Sequence, residues 1–251
     1  MISALIKRRL WLWKNRLIPS IFFYILLPVF IFVIISLPLK NIIRFSLAET
    51  PYDIWVLPGL IFIIGSFSLY PLIYREYFEL RIHRKVLVNI ALTPYSKRYI
   101  IFSSLVVAGL EALFMSILGV VFYISFTSIS LTISSLIFLL LCLIIYLFLL
   151  GNLYITISLI IDALTTMFLG SFMVFILILF GCGFLIEFSF FPIGFESFLK
   201  WIPLSIPLQI YHKFDSTGLI DWKSLSLLSI FIYLWILLNS IILKRLSLIH
   251  I

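Results

Sequence analysis

The chain has 251 residues, 64% of them hydrophobic and only 11% charged, with a formal net charge of +8 and a mean hydropathy of +1.27. Soluble domains are about 45–50% apolar and about 25% charged, so this composition excludes a water-soluble globule and makes the bilayer the solvent. Inside hydrocarbon every backbone polar group needs an internal partner, which leaves helices or closed barrels. A barrel would alternate apolar and polar residues. The run LIFLLLCLIIYLFLLG at 136–151 does not, and helices are expected.

In chain order, the first segment is MISALIKRRLWLWKNRL, residues 1–17. Ile2, Ile6, Leu10, Trp13 and Leu17 share one helical face, while Lys7, Arg8 and Lys14 fall away from it and Arg9 and Arg16 flank it. This predicts an amphipathic helix lying in the cytoplasmic interface. Six apolar runs follow that are long enough to cross about 30 Å of hydrocarbon. They cover about 18–39, 54–74, 99–123, 133–161, 165–186 and 223–243. Two connections are not simple loops. In residues 75–94, Phe78, Ile82, Val86 and Ile90 recur every fourth position, which predicts a cytoplasmic helix of about 18 residues ending near Pro94. In residues 188–221, Pro192, Pro203 and Pro207 divide an aromatic-rich stretch into short helices expected to dip into the outer leaflet. The chain reads as one all-α transmembrane domain.

Orientation follows from the lysine and arginine bias. Lys7, Arg8, Arg9, Lys14 and Arg16 precede the first span, and Lys244 and Arg245 follow the last. Arg75, Arg81, Arg84, Lys85, Lys97 and Arg98 lie in the connection after the second span, against Glu76 and Glu79. Six spans put these three segments on one side, so both termini are expected in the cytoplasm. The opposite side is balanced: Lys40 and Arg44 meet Glu49 and Asp53, and Lys200 and Lys213 meet Glu187, Glu196, Asp215 and Asp221. The basic excess is read as facing anionic lipid, not nucleic acid.

No GxxxxGK[ST], HExxH, GxSxG or CxxC motif occurs. His83, His212 and His250 are far apart, and Cys142 and Cys182 lie in apolar runs, so no catalytic residue, metal site or cofactor is expected on this chain. Ionisable and polar groups within spans are the default candidates for function. Glu111 stands in the middle of the third span, and Asn152, Thr156 and Ser158 supply a polar face to the fourth. A substrate pathway or dimer interface is weighed there against a purely structural interhelical hydrogen bond. Asp162 and Glu187 lie at span ends, where capping is the simpler reading.

These pieces resemble the permease subunits of type-2 ABC exporters. The resemblance covers nearly the whole chain. It is carried by the basic N-terminal helix, by LPVFIFVI and YDIWVLPGL, by YREYFELRIHRKVLVNIALTPYSKRYII, and by FFPIGFESFLKWIPLSIPLQIYH. The look is closest to drug and lipo-oligosaccharide exporters. Where many members have a Glu four residues before the Thr of Thr-Pro, this chain has Asn89 or its neighbour Val88. Where an Arg often follows Pro-Leu, it has His212 and Lys213. The resemblance implies a coupling helix at 75–94, with Arg75, Glu76, Phe78, Glu79, Ile82, Arg84, Lys85, Thr93 and Pro94 meeting a separate ATP-binding subunit. That subunit would hold ATP and Mg. A second copy of the permease would complete the transporter in the plasma membrane, the bacterial inner membrane, among its lipids. A haem-export-type permease of cytochrome maturation and an intramembrane lipid-modifying enzyme are the alternatives.

Overall fold

The computed structural model describes residues 1–15, 17–43, 45–46, 50–127 and 132–249. The expectations placed on Arg16, Arg44, Glu49 and His250 lie outside the described residues. The fold is 85% helical, with six helices long and apolar enough to cross a membrane, and the protein is a multi-pass membrane protein. A short N-terminal helix α1 (Ile2–Asn15) precedes the first span. The spans are α2 (Leu17–Ile42), α3 (Tyr52–Ile82), α5 (Lys97–Thr127), α6 (Ile133–Ile160), α7 (Leu164–Gly181) and α10 (Trp222–Leu246). Between them stand α4 (Leu87–Ala91), α8 (Ile193–Lys200) and α9 (Ile206–Thr217).

Helix α3 is the centre of the bundle, with 78% of its most apolar window buried. Its sequence explains how neighbours approach so closely. A Cβ on Gly59 would stand 2.0 Å from the Phe184 carbonyl oxygen, so only glycine fits. α5 runs antiparallel to α3: the Tyr77 and Ser104 hydroxyls meet near one end, and Ile64 packs on Gly119 near the other. α6 runs parallel to it, with Phe62 on Tyr146 and Tyr70 on Tyr154. Within hydrocarbon, apolar contact gives no hydrophobic gain over lipid, so small residues and hydrogen bonds hold the spans together. Ser66–Tyr146 at 2.6 Å and Ser36–Tyr123 at 2.9 Å are two such bonds.

Two predicted elements differ. The 75–94 helix is not one helix. α3 continues past its expected end through a π-helical turn, Tyr74–Glu79, to Ile82. It closes as Val86 N–H donates to the Leu80 carbonyl while Lys85 adopts a left-handed φ of 53°. That geometry is a helix stop usually made by glycine. Residues 83–96 then form an elbow containing only the short α4, anchored by buried Leu87 and Ala91. The second difference is the face α1 turns inward. Leu10 and Trp11 are exposed, whereas Arg8, Arg9 and Trp13 face the bundle. The expected strip divides, with Leu10 outward and Ile2, Ile6 and Trp13 half-buried, and the two arginines turn inward because Glu76 and Glu111 stand there to pair with them.

The 188–221 segment divides at its prolines as expected, and Pro207 occupies the first turn of α9. α9 lies antiparallel against the Ile133 end of α6, with Phe214 on Phe138 and Ser135 donating to Asp215.

The glycines give a paired test. Gly59→Ala should destabilise the purified protein by about 1–3 kcal/mol through overpacking. Gly109→Ala should be neutral or stabilising by up to ~1 kcal/mol, since nothing stands within 4 Å of that Cβ position. Thermal unfolding in detergent measures both.

Candidate functional site

Arg8, Arg9, Glu76 and Glu111, all in the N-terminal half, converge where α1, α3 and α5 meet. Glu111 accepts hydrogen bonds from Trp13 Nε1 at 3.0 Å and from the Tyr24 hydroxyl at 2.8 Å. Its other oxygen lies 3.8 Å from Arg9 Nε, and both side chains are 11% exposed. Arg9 also reaches Glu76 at 3.3 Å, and Arg8 pairs with the same carboxylate. Arg9 thus bridges a carboxylate on α3 to one on α5. Glu79 pairs with Arg84 at 2.8 Å. Glu76 and Glu79 stand in the π-helical turn, as does Arg75. Such turns re-aim side chains and are frequent at functional sites.

Beside this network lies a cavity of about 650 Å³. Its walls come from α1 (Trp13), α2 (Phe23, Leu27), α3 (Phe67, Leu72) and α5 (Met115). Arg9, Arg75, Glu79, Arg84 and Glu111 supply its charged lining. The size falls within the ~300–1,000 Å³ of small-molecule sites. Pro71 lines it too, and has no N–H to offer the carbonyl of Phe67.

The other predicted pathway residues do not join Glu111. Asn152 and Thr156 form a separate clamp between α6 and α10. Asn239 Nδ2 donates to Asn152 Oδ1 at 3.1 Å, Thr156 donates to Asn239 Oδ1 at 2.7 Å, and Trp235 Nε1 donates to Thr156 at 2.9 Å. Ser158 is buried and its hydroxyl has no partner among the described residues. Sequence reasoning missed Arg9, Trp13 and Tyr24 as partners of Glu111, and Asn239 and Trp235 as partners of Asn152 and Thr156. Asn239 carried a usable signal, being an amide inside an apolar span.

The predicted coupling residues divide between two environments. Arg75, Glu76, Phe78, Glu79 and Ile82 belong to α3. Phe78 is 0% exposed and stacks on Tyr74. It is a core residue, unavailable for docking, because the spanning helix runs past it. Arg84, Lys85, Thr93 and Pro94 lie in the elbow, where Val86, Leu92 and Tyr95 are exposed. Arg81 donates to the carbonyl of Ile161 and pairs with Asp162 at 2.6 Å, stabilising the negative end of α6.

A second, smaller pocket of about 240 Å³ lies at the α9 end, lined by Trp55, Glu187, Lys200 and His212 among others. The His212 ring stacks on Trp55, 5.5 Å apart and 3° from parallel. Its Nε2 is buried without a partner among the described residues, and burial pushes the imidazole down to about 4.

Comparison with protein-family models, with curated proteins and with solved structures finds no match to this chain.

Two predictions follow from these geometries. Glu111→Ala should cost about 1–3 kcal/mol, because it leaves Trp13 and Tyr24 without their acceptor and Arg9 with Glu76 alone. It should also expose α1 to proteolysis at Lys14; thermal unfolding in detergent reads the first effect and limited digestion the second. His212 binds its proton more weakly folded than unfolded, so stability is full above about pH 6.5 and falls as the pH drops toward about 4. The residue as a whole is only half-buried, so the loss should be about 1–2 kcal/mol, below the ~3 kcal/mol of a sealed group. Thermal melts across pH 4–7 should lose this dependence in His212→Phe, which keeps a ring against Trp55.

Proposed function

We propose that the chain is the membrane-spanning permease subunit of an ATP-driven ABC exporter that moves an amphipathic substrate out of the cytoplasm. It resides in the plasma membrane, the bacterial inner membrane, with both termini cytoplasmic, and works as a pair of copies. Segment 188–221 forms short re-entrant helices in the outer leaflet, and α1 lies at the cytoplasmic interface. ATP and Mg bind a separate cassette subunit that docks on the elbow of residues 83–96.

The observation that carries this reading is that the elbow and the cavity share a wall. Arg84 belongs to the elbow, lines the cavity and pairs with Glu79 of the spanning helix. A force applied to the elbow therefore reaches the charged lining directly. The elbow also offers exposed Val86 and Leu92, 40% and 53% accessible, beside buried Leu87 and Ala91 that tie it to the bundle. An exposed apolar contact on an anchored support suits a moving partner. The lysine and arginine bias places the elbow with both termini on the cytoplasmic side.

Orientation is testable by cysteine labelling. A cysteine at Lys85 should react only from the cytoplasm, and one at Asp215 only from outside; labelling of Asp215→Cys from the cytoplasm would reject the topology. Coupling is testable in proteoliposomes with the co-purified ATP-binding subunit. The chain alone should show no ATPase activity. Val86→Asp with Leu92→Asp should lower substrate-stimulated ATPase at least tenfold, about 1.4 kcal/mol of lost docking, without changing insertion or the melting temperature. Substrate movement by the chain alone, driven by a pH gradient and lost in Glu111→Gln, would overturn the exporter reading.

A further inference from the structure

The charges around the cavity do not cancel. Glu76 is taken by Arg8 and Arg9, Glu111 by Arg9 with Trp13 and Tyr24, and Glu79 by Arg84. Arg75 stands in the same π-helical turn and lines the cavity, yet it has no hydrogen-bond or ion-pair partner among the described residues. Four arginines against three carboxylates leave one positive charge, and Arg75 carries it into the open space. A guanidinium at the foot of an apolar chamber is costly unless something pairs with it. Its planar fork matches a carboxylate or phosphate in bidentate fashion.

The rest of the chamber suits a hydrocarbon body. Phe23, Leu27, Phe67, Leu72 and Met115 form walls that offer nothing to a polar group. The neutralised pairs that also line it, Arg9–Glu111 and Arg84–Glu79, leave a place for a single negative charge.

We infer that this cavity binds an anionic amphiphile, with Arg75 pairing the oxyanion head and the apolar walls of α2, α3 and α5 holding the chain. This deepens the exporter reading by naming the substrate class, and rests on that reading only for the direction of movement. Elbow and site are also linked. Drawing Arg84 away from Glu79 frees a carboxylate in the same turn as Arg75, and that carboxylate competes with the bound head for the guanidinium.

The test is equilibrium binding to the purified chain in nanodiscs of zwitterionic lipid, with no ATP-binding subunit present. Dodecyl phosphate is the probe, dodecyltrimethylammonium the cationic control and inorganic phosphate the head without a tail. Dodecyl phosphate should bind at least tenfold tighter than either control. Arg75→Gln should weaken it at least tenfold, Arg75→Lys less, and Ser68→Phe, which fills the chamber and leaves every charge in place, should weaken it as well. Melting temperatures confirm that the variants fold; if Arg75→Gln does not, Ser68→Phe and the two controls still decide. Equal binding of the anionic and cationic detergents, or unchanged affinity in Arg75→Gln, would overturn the inference. Inorganic phosphate binding as tightly as dodecyl phosphate would overturn the amphiphile and leave a simple anion site. Repeating the titration in phosphatidylglycerol nanodiscs separates two sources. Displacement of the probe identifies a bilayer phospholipid as a competent ligand, and retention identifies an amphiphile distinct from the surrounding lipid; both support an anion site. Loss of this binding with intact ATP-dependent export would remove the substrate class and leave the exporter reading standing. The reverse result would remove the exporter reading alone.

Discussion

A charge buried among apolar helices has to find its partner inside the protein, and the N-terminal half of this molecule is organised around that requirement. Arg9 stands between Glu76 of one span and Glu111 of another, so a single guanidinium fixes the N-terminal helix against both. Trp13 and Tyr24 complete the coordination of Glu111 from the N-terminal helix and the first span. Removing Arg9 leaves Glu111 buried without its cation, which is far more expensive than forming the pair is rewarding. Such a network specifies an arrangement more than it adds stability.

The same requirement accounts for the way the N-terminal helix turns two arginines toward the bundle. An amphipathic helix on a soluble protein turns its apolar stripe inward, because water drives it there. Where lipid lies outside, Leu10 and Trp11 lose nothing by facing it, while Arg8 and Arg9 gain carboxylates by facing in. The cavity beside this network then inherits its polarity. Two of its five charged lining residues, Arg75 and Glu79, come from one π-helical turn.

The elbow at 83–96 shows how a break can be tertiary in origin. The segment contains no glycine, and its one proline comes after α4. Its helix stop is made by Lys85 in a conformation that a lysine adopts only when its surroundings demand it. Buried Leu87 and Ala91 below, and Lys97 donating to the Ala91 carbonyl, hold the turn in place. Four-residue spacing of Phe78, Ile82, Val86 and Ile90 suggested one continuous surface helix. Periodicity records that a stretch is helical in part, and it does not record where a spanning helix ends or which residues lie beneath the surface.

Local composition determined a good deal. Runs of about twenty apolar residues are enough to require six membrane helices, because no other structure satisfies the backbone in lipid, and each span starts within two residues of its expected position. Their far ends drifted more, as α3 shows by running on to Ile82, because charged residues can extend a helix beyond the hydrocarbon. The prolines of 188–221 marked its short helices because proline blocks a hydrogen bond wherever it falls. Glu111, Asn152 and Thr156 stood out as polar groups in apolar surroundings. Only the tertiary structure decided what they touch. Glu111 meets Trp13, 98 residues away, and Asn152 meets Asn239, 87 residues away. No local pattern encodes such pairings, because they follow from which helices become neighbours. That Arg75 has no hydrogen-bond or ion-pair partner among the described residues is likewise invisible in the sequence, since it depends on each nearby carboxylate having been claimed by another arginine.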